Sequence, residues 1–414
     1  MIRIVILGGG FGGVRCALDL ERSLGSEASI TLIDRNGYHL FTPALYEVAA
    51  ACQTAADPFA LELRKTVAIP YGEIFTDSSI ELIQAQIASA DMDQKHVALD
   101  SGARIDFDYL VLALGSQVAD FGIPGVYEYA HQFKTTDDGV AVNQKLEALF
   151  SGAAGGTVPL PIKILVIGAG FAGVELAAEL VSCSRVLQAE YDLPKRSFSV
   201  SLFEAGPHIL PMIEEKERRE IGKRLTHLGV IIMENSVIEA VYSDAVKLKT
   251  GQTISGNAVI WTAGVQANKL AAAIHGLILT PRGKVIVDEY LRVKNGDMVF
   301  ALGDIAEQID PKTQKPVPGL AYVAQAQGSV VAHNIRSHMR GKKLKAHIPE
   351  YRSWIAPLGG KFAMAHIGNT ATVSGRMGWL VRNLVDLRYF LSVLPVGKAL
   401  NLFRKDIMLF SKND

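Results

Sequence analysis

One pattern restricts this chain more than any other: a strand, a glycine-rich turn, a helix and a second strand ending in an acid, and it occurs twice. Ile2 to Leu7 is a continuous apolar run, as expected of a parallel strand buried on both faces. Gly8-Gly9-Gly10-Phe11-Gly12-Gly13 follows at once, Val14 to Leu24 reads as a helix, and the apolar run Ser29 to Ile33 ends in Asp34. The unit recurs with strand Lys163 to Ile167, the turn Gly168-Ala169-Gly170-Phe171-Ala172-Gly173, a helix from Val174, and a strand Ser199 to Phe203 ending in Glu204.

Each part has a physical job. Gly8 and Gly168 permit a sharp bend, Gly10 and Gly170 let the backbone approach a diphosphate, and Gly13 and Gly173 let helix and strand pack closely. The helix start presents unpaired N–H groups and a positive dipole end to the phosphates. Asp34 and Glu204 end their strands where a carboxylate can accept hydrogen bonds from ribose hydroxyls. One glycine motif alone is weak evidence. Two, each with strand, helix and acid in place, imply two bound dinucleotides, divided as one flavin and one nicotinamide. Glu204 favours the free 2′-hydroxyl of NADH over the 2′-phosphate of NADPH, and the following Ala205-Gly206-Pro207-His208 brings no Arg.

Three further strand ends complete the pattern. Tyr109 to Leu114 ends in Gly115-Ser116, Ala258 to Thr262 in Ala263-Gly264, and Met298 to Leu302 in Gly303-Asp304-Ile305-Ala306. Asp304 has two readings: a ligand for a flavin's ribityl hydroxyls, or an ordinary helix N-cap. The expected fold is α/β with two Rossmann-like dinucleotide-binding domains. The FAD domain is discontinuous, at 1–120 and 288–345; the NADH domain occupies 121–287, with Ser151 to Pro161 (SGAAGGTVPLP) as linker. A C-terminal segment, 346–414, follows.

Composition sets limits on function. The 42 basic and 42 acidic residues cancel, which weighs against a general nucleic-acid binder, and 49% hydrophobic residues exclude disorder. Cys16, Cys52 and Cys183 are too scattered for a disulfide scaffold or a metal site and suit a reducing compartment. Met1-Ile2-Arg3 runs straight into a strand, without a signal or transit peptide, so the expected location is the cytoplasmic side. Arg382, Asp386, Arg388 and Lys398 interrupt the apolar C-terminal region and leave no spanning run. There, Leu380, Leu384, Leu387 and Leu391 recur at helical spacing beside Trp379, Tyr389 and several basic residues. A helix pair of this kind fits a segment lying on a membrane surface; the alternative is a terminal helix packed on the body or on a second subunit.

The stretches ITLIDRNGYHLFTPALYEVA (30–49), IDFDYLVLALGS (105–116), ILVIGAGFAGVELAAEL (164–180), SLFEAGPHILP (201–211), VIWTAGV (259–265) and VFALGDIA (299–306) carry a resemblance along nearly the whole chain. It resembles the two-dinucleotide-domain flavoproteins of the pyridine nucleotide-disulfide reductase type, and within them the type II NADH dehydrogenases, single-subunit NADH:quinone oxidoreductases. The resemblance implies that Gly8, Gly10, Phe11, Gly12, Gly13, Asp34 and Arg35 hold the FAD adenosine and diphosphate. It places Pro43 against the flavin, Asp304 on the ribityl chain, and Ile87, Gly115, Gly303, Ala321 and Tyr322 elsewhere around FAD. Gly168, Gly170, Phe171, Gly173, Glu175, Glu204, Ala263 and Gly264 are implied to hold NADH.

Glu175 matches the family's carboxylate at the nicotinamide–flavin junction, with a role in proton or quinone chemistry; its bland reading is a first-turn acid favoured by the helix dipole. The chain departs from the family at 318–328, where Tyr322 stands in place of a Gln and Ala326 replaces one of a Gln pair, leaving Gln325 and Gln327. Tyr322 could donate a hydrogen bond to a quinone, or be a packed aromatic. The resemblance further implies a membrane quinone as acceptor, no proton pumping, a homodimer, and a peripheral place on the cytoplasmic face of the membrane. A sulfide:quinone oxidoreductase is disfavoured because the chain has no cysteine after Cys183 to form a thiol pair beside the flavin. A soluble NADH oxidase, a ferredoxin reductase, or a flavin-bound protein whose redox state changes its partners are the other readings.

Overall fold

The computed structural model describes residues 1–51, 64–368 and 371–413; Cys52 lies outside them. Two open sheets organise the chain. The first has six strands in the spatial order Arg292–Val293, Gly296–Ala301, Tyr109–Leu112, Ile2–Leu7, Ala28–Asp34 and Glu81–Gln84. The second has five, in the order His131–Gln132, Ala258–Trp261, Ile162–Ile167, Phe198–Phe203 and Val230–Met233. All neighbours are parallel except the edge pair 292–301. In each sheet the strand entering the glycine turn lies between the strand ending in the acid and the strand returning to the other unit. That position puts both turns at the carboxyl ends of their sheets, beside the crevice where open α/β sheets bind ligands.

Both helices leaving the turns start earlier than apolar spacing indicates, at Phe11 and Phe171 rather than Val14 and Val174. Gly10 and Gly170 are their N-caps, in near-identical extended conformations with ψ of −170° and −176°, and no side chain caps either helix. The helix Thr136–Ala154 overruns the linker expected from residue 151 onward. It is started by a Thr135–Asp138 capping box, and Ala-Leu-rich sequence carries it through Ser151-Gly152-Ala153-Ala154.

The two units are joined where Ser116–Val118 pairs antiparallel with Val265–Ala267. Among the described residues, those after 345 form no separate core. Ala356, Leu358 and Met364 enter the core around the second sheet, while Tyr389, Phe390, Val393, Leu394 and Ala399 enter the core around the first.

The helix Arg376–Val393 is turned inside out relative to an ordinary surface helix. It buries Arg382, Asn383, Asp386, Tyr389 and Phe390 and exposes Met377, Leu380, Leu384, Val385 and Leu391. Arg382 and Asp386, counted in the sequence as polar interruptions on a surface helix, therefore face inward. The reason is a buried acid, Glu47, whose carboxylate lies 3.6 Å from Arg382. No described helix is long and apolar enough to cross a membrane. Cys16 and Cys183 are buried free thiols behind the two glycine turns.

Candidate active site

At the first turn, Gly8 has φ of +104°, a conformation that favours glycine, and any Cβ there would run into the Ala113 carbonyl. A Cβ on Gly12 would strike Leu302 and the Ala324 carbonyl, and one on Gly13 the Gly8 carbonyl. Gly10 is different: a Cβ there would meet nothing, so its side of the turn is open to a ligand. Asp34 accepts the Gly9 N–H at 2.7 Å on one oxygen and the Asn36 N–H at 2.8 Å on the other. Tyr71 also makes a side-chain hydrogen bond with this carboxylate, which keeps lone-pair capacity for a ribose hydroxyl. Beside it is a cavity of about 240 Å³ lined by Leu32, Asp34, Asn36, Tyr71, Ile83 and Gln84 among others. Ile87 does not line it; it begins a strand, Ile87–Asp91, of a separate small sheet. Arg35 is exposed, and its carbonyl accepts from Gln84 at 3.4 Å.

The second turn repeats the first. Gly168 has φ of +107°, its missing Cβ leaves room for Ala263, and Gly173 could not carry a Cβ without meeting the Gly168 carbonyl. Glu204 accepts the Ala169 N–H at 3.0 Å and the Gly206 N–H at 2.8 Å, the same two-oxygen clamp that Asp34 makes. Gly170 again faces open space. Gly264, with φ of +152°, lies under the exposed ring of Phe121, and the Phe171 ring packs 5.5 Å from Trp354. Two glycine turns with open second glycines and paired carboxylate clamps fit two dinucleotides.

Glu175 lies beyond the first turn of its helix, so the dipole reading does not account for it. It is half-buried, and withdrawal from water pushes its pKa up to about 8, with Arg382 pulling it down and Asp386 pushing it up. Around it stand Tyr46 and Glu47 of the short helix Leu45–Ala49, and Arg382 and Asp386 of the inverted helix. Arg382 is 3.5 Å from Asp386, and its guanidinium lies 5.4 Å over the Tyr46 ring. Asp406, from the helix Val396–Asn413, is buried in the same cluster. A carboxyl protonated at neutral pH, next to a nucleotide turn, can hand on a proton.

On the opposite side, Asp304 sits in a short 3₁₀ turn, Gly303–Ile305, without capping it. Its carboxylate accepts the Ser116 hydroxyl at 2.6 Å, and Lys134 donates to the same hydroxyl at 3.0 Å. Gly115 and Gly303 both take positive φ, +64° and +72°. The Gly303 N–H donates to Gln327 Oε1 at 2.7 Å; Gln327 Nε2 in turn donates to Gln308, which also bonds His347. Gln327 is thus a buried strut under the 303–304 turn. Ala321 opens the helix Ala321–Met339, with Gln325 half-buried further along it. Tyr322 is exposed, and its hydroxyl donates to the Ser353 carbonyl at 3.0 Å. Pro43 is exposed in the turn Thr42–Ala44, immediately before the helix that carries Tyr46 and Glu47.

Lys134 and His39 carry no signal in the sequence, and the buried roles of Gln327, Arg382 and Asp386 do not show there either. Lys134, His39, Gln327 and Arg382 each act through a partner on another element, from 18 residues away for Lys134 and Ser116 to 350 for His39 and Tyr389, and at no fixed motif spacing.

Two mainly parallel sheets carrying two clamped glycine turns, their units linked by the short antiparallel ribbon of Ser116–Val118 and Val265–Ala267, define a two-nucleotide α/β oxidoreductase. The chain belongs to the pyridine nucleotide-disulphide oxidoreductase family, whose model matches residues 2–328. It is similar to the type II NADH:quinone oxidoreductase of Staphylococcus aureus, 26% identical over 404 residues that cover 96% of this chain and 97% of that one. In structure it resembles NDH2 from Plasmodium falciparum solved in complex with NADH, with a TM-score of 0.83, 17% identity, and coverage of 98% and 97%. It also resembles the sulfide:quinone oxidoreductase of Aquifex aeolicus, with a TM-score of 0.76, 20% identity, and coverage of 98% and 92%.

Proposed function

We propose that this protein is an FAD-dependent NADH:quinone oxidoreductase, peripheral to a membrane. The observation that carries the reading is the duplicated clamp: Asp34 on Gly9 and Glu204 on Ala169, each beside an open glycine at a helix start. Full-length similarity to the Staphylococcus aureus enzyme supports the donor and the acceptor. Described cysteines 16 and 183 are both buried in helices, which favours NADH over sulfide as the electron donor.

Bound FAD would supply the two-electron carrier between NADH and quinone. The chain's own residues do the rest. N–H groups of the 8–13 and 168–173 turns bind the diphosphates, and Asp34 and Glu204 accept from the riboses. Asp304, oriented by Ser116 and Lys134, is placed to accept from the ribityl hydroxyls. The overall reaction, NADH and a quinone giving NAD⁺ and a quinol, takes up one proton, and Glu175, beside the second glycine turn, is a group that holds one near neutral pH. The flavin domain comprises 1–120 and 288–345 and the NADH domain 121–287. The exposed leucines of Arg376–Val393 form the membrane-facing surface, on the cytoplasmic side, and two copies associate as a homodimer.

Anaerobic mixing with NADH should bleach the flavin rapidly, and a quinone carried in liposomes should restore it, with the protein co-sedimenting with the vesicles. Bleaching without recovery would overturn the acceptor, and recovery without co-sedimentation the membrane surface. Glu204→Gln, which removes the charge and keeps the side chain's size, is expected to lower the ratio of kcat/KM for NADH over NADPH by about tenfold. An unchanged ratio would remove Glu204 from the ribose site.

A further inference from the structure

The C-terminal helices reach the first glycine turn through two hydrogen bonds in series. His39 is fully buried, with Nδ1 3.0 Å from the Gly9 carbonyl and Nε2 2.6 Å from the Tyr389 hydroxyl. The carbonyl can only accept, so Nδ1 carries the proton; Nε2 of the neutral ring then accepts from Tyr389. Burial lowers the His39 pKa to about 4, which keeps the ring in that neutral form. Gly9 also donates its N–H to Asp34. Both peptide groups of Gly9 are therefore held.

The consequence falls on Gly10. The peptide joining Gly9 to Gly10 is planar and trans, so with its carbonyl turned to His39 its N–H points the opposite way. His39 thereby aims the Gly10 N–H, at the residue whose side of the turn is open.

Tyr389 is itself fixed to this region. Its ring lies 5.1 Å from Phe11 and stacks 5.2 Å from Phe41. One turn of helix on, the Ser392 carbonyl accepts from Arg15 at 2.9 Å, and Arg15 belongs to the helix leaving the glycine turn. The same inverted helix exposes Leu384, Val385 and Leu391 on its outer side.

We propose that Tyr389 and His39 are positioning residues for the flavin nucleotide, and that docking of the C-terminal helices and retention of FAD are coupled in both directions. The proposal rests on the assignment of the 8–13 turn to FAD. Coupling of two binding events is reciprocal, so each should be visible from the other side.

The test compares full-length wild type with Tyr389→Phe, both loaded with FAD. Release is followed by the rise in free-FAD fluorescence on dilution, and amide hydrogen exchange at 389–393 is measured with and without FAD. Tyr389→Phe is expected to release FAD about tenfold faster. In wild type, FAD should slow exchange at 389–393; in the variant that protection should shrink, while the KM for NADH of the loaded fraction stays as in wild type. Arg15→Met, which cuts the Ser392 tie and leaves the Gly9 carbonyl bond in place, should speed release less, in the same direction, and serves if Tyr389→Phe does not fold. Equal release rates with FAD-independent exchange overturn the coupling alone. A wild-type protein that takes up no FAD overturns the flavin assignment, and the proposal with it.

Discussion

Glu175→Gln is expected to cut NADH:quinone turnover by about 100-fold while leaving NADH-driven flavin bleaching near its wild-type rate. Burial raises the Glu175 pKa to about 8, so at pH 7 the carboxyl is mostly protonated and can serve as a proton donor. Wild-type turnover should therefore hold up to about pH 8 and fall above it, as the acid form is lost. Gln occupies the same space but cannot ionise, so its residual turnover should lack that alkaline limb. The linkage to stability has the same sign. A carboxyl whose folded pKa lies above its unfolded value stabilises the fold below the unfolded pKa, and loses that contribution as pH rises through the folded one. The Gln variant should accordingly lose less stability than wild type between pH 7 and 9. Turnover profiles of equal shape in both proteins would remove Glu175 from the proton path.

The two nucleotide units were legible because their signals are local. Strand, turn, helix and acid follow one another within a few dozen residues, and glycine conformation, unlike most side-chain chemistry, is dictated on the spot. Gly8 and Gly168, with φ near +105° as the shared pattern requires, show how directly such a signal survives folding. Helix starts were less legible. Apolar periodicity sets in at Val14 and Val174, whereas the helices begin at Phe11 and Phe171, because the glycine N-cap and not the apolar face decides where the first turn forms.

The site was legible where one motif carries it and opaque where distant segments converge. Asp34 and Glu204 could be named from position alone. Lys134 reaches Asp304 only through Ser116, and Gln327 reaches Gly303 only because the helix Ala321–Met339 crosses the helix Phe11–Leu24 at Gly12 and Gly328. The C-terminal helix is the sharpest case. Its leucine stripe and its charged residues both appear in the sequence, but periodicity cannot tell which face turns inward. That choice belongs to Glu47, more than three hundred residues earlier, which offers Arg382 a buried counter-charge.

Arg382→Met is expected to lower stability by about 3–5 kcal/mol at pH 7. Arg382 is buried between Glu47 at 3.6 Å and Asp386 at 3.5 Å, so its loss leaves acids in a low-dielectric site without the cation that offsets their desolvation. The loss should be smaller at pH 5. Burial already raises the Asp386 pKa to about 6 against the pull of Arg382, and without that pull it rises further, so the acid is neutral at pH 5 in the variant. Removing a second charge should then help: Arg382→Met with Asp386→Asn is expected to recover part of the stability at pH 7. Thermal unfolding of the three proteins at the two pH values checks this. Arg382 also lowers the Glu175 pKa, so in the folded Met variant the alkaline limb of quinone turnover should move above pH 8. Loss of stability with no movement of that limb would confine Arg382 to holding the helix Arg376–Val393 against the body. Movement of both would tie the docking of that helix to the proton chemistry of the site, through one guanidinium.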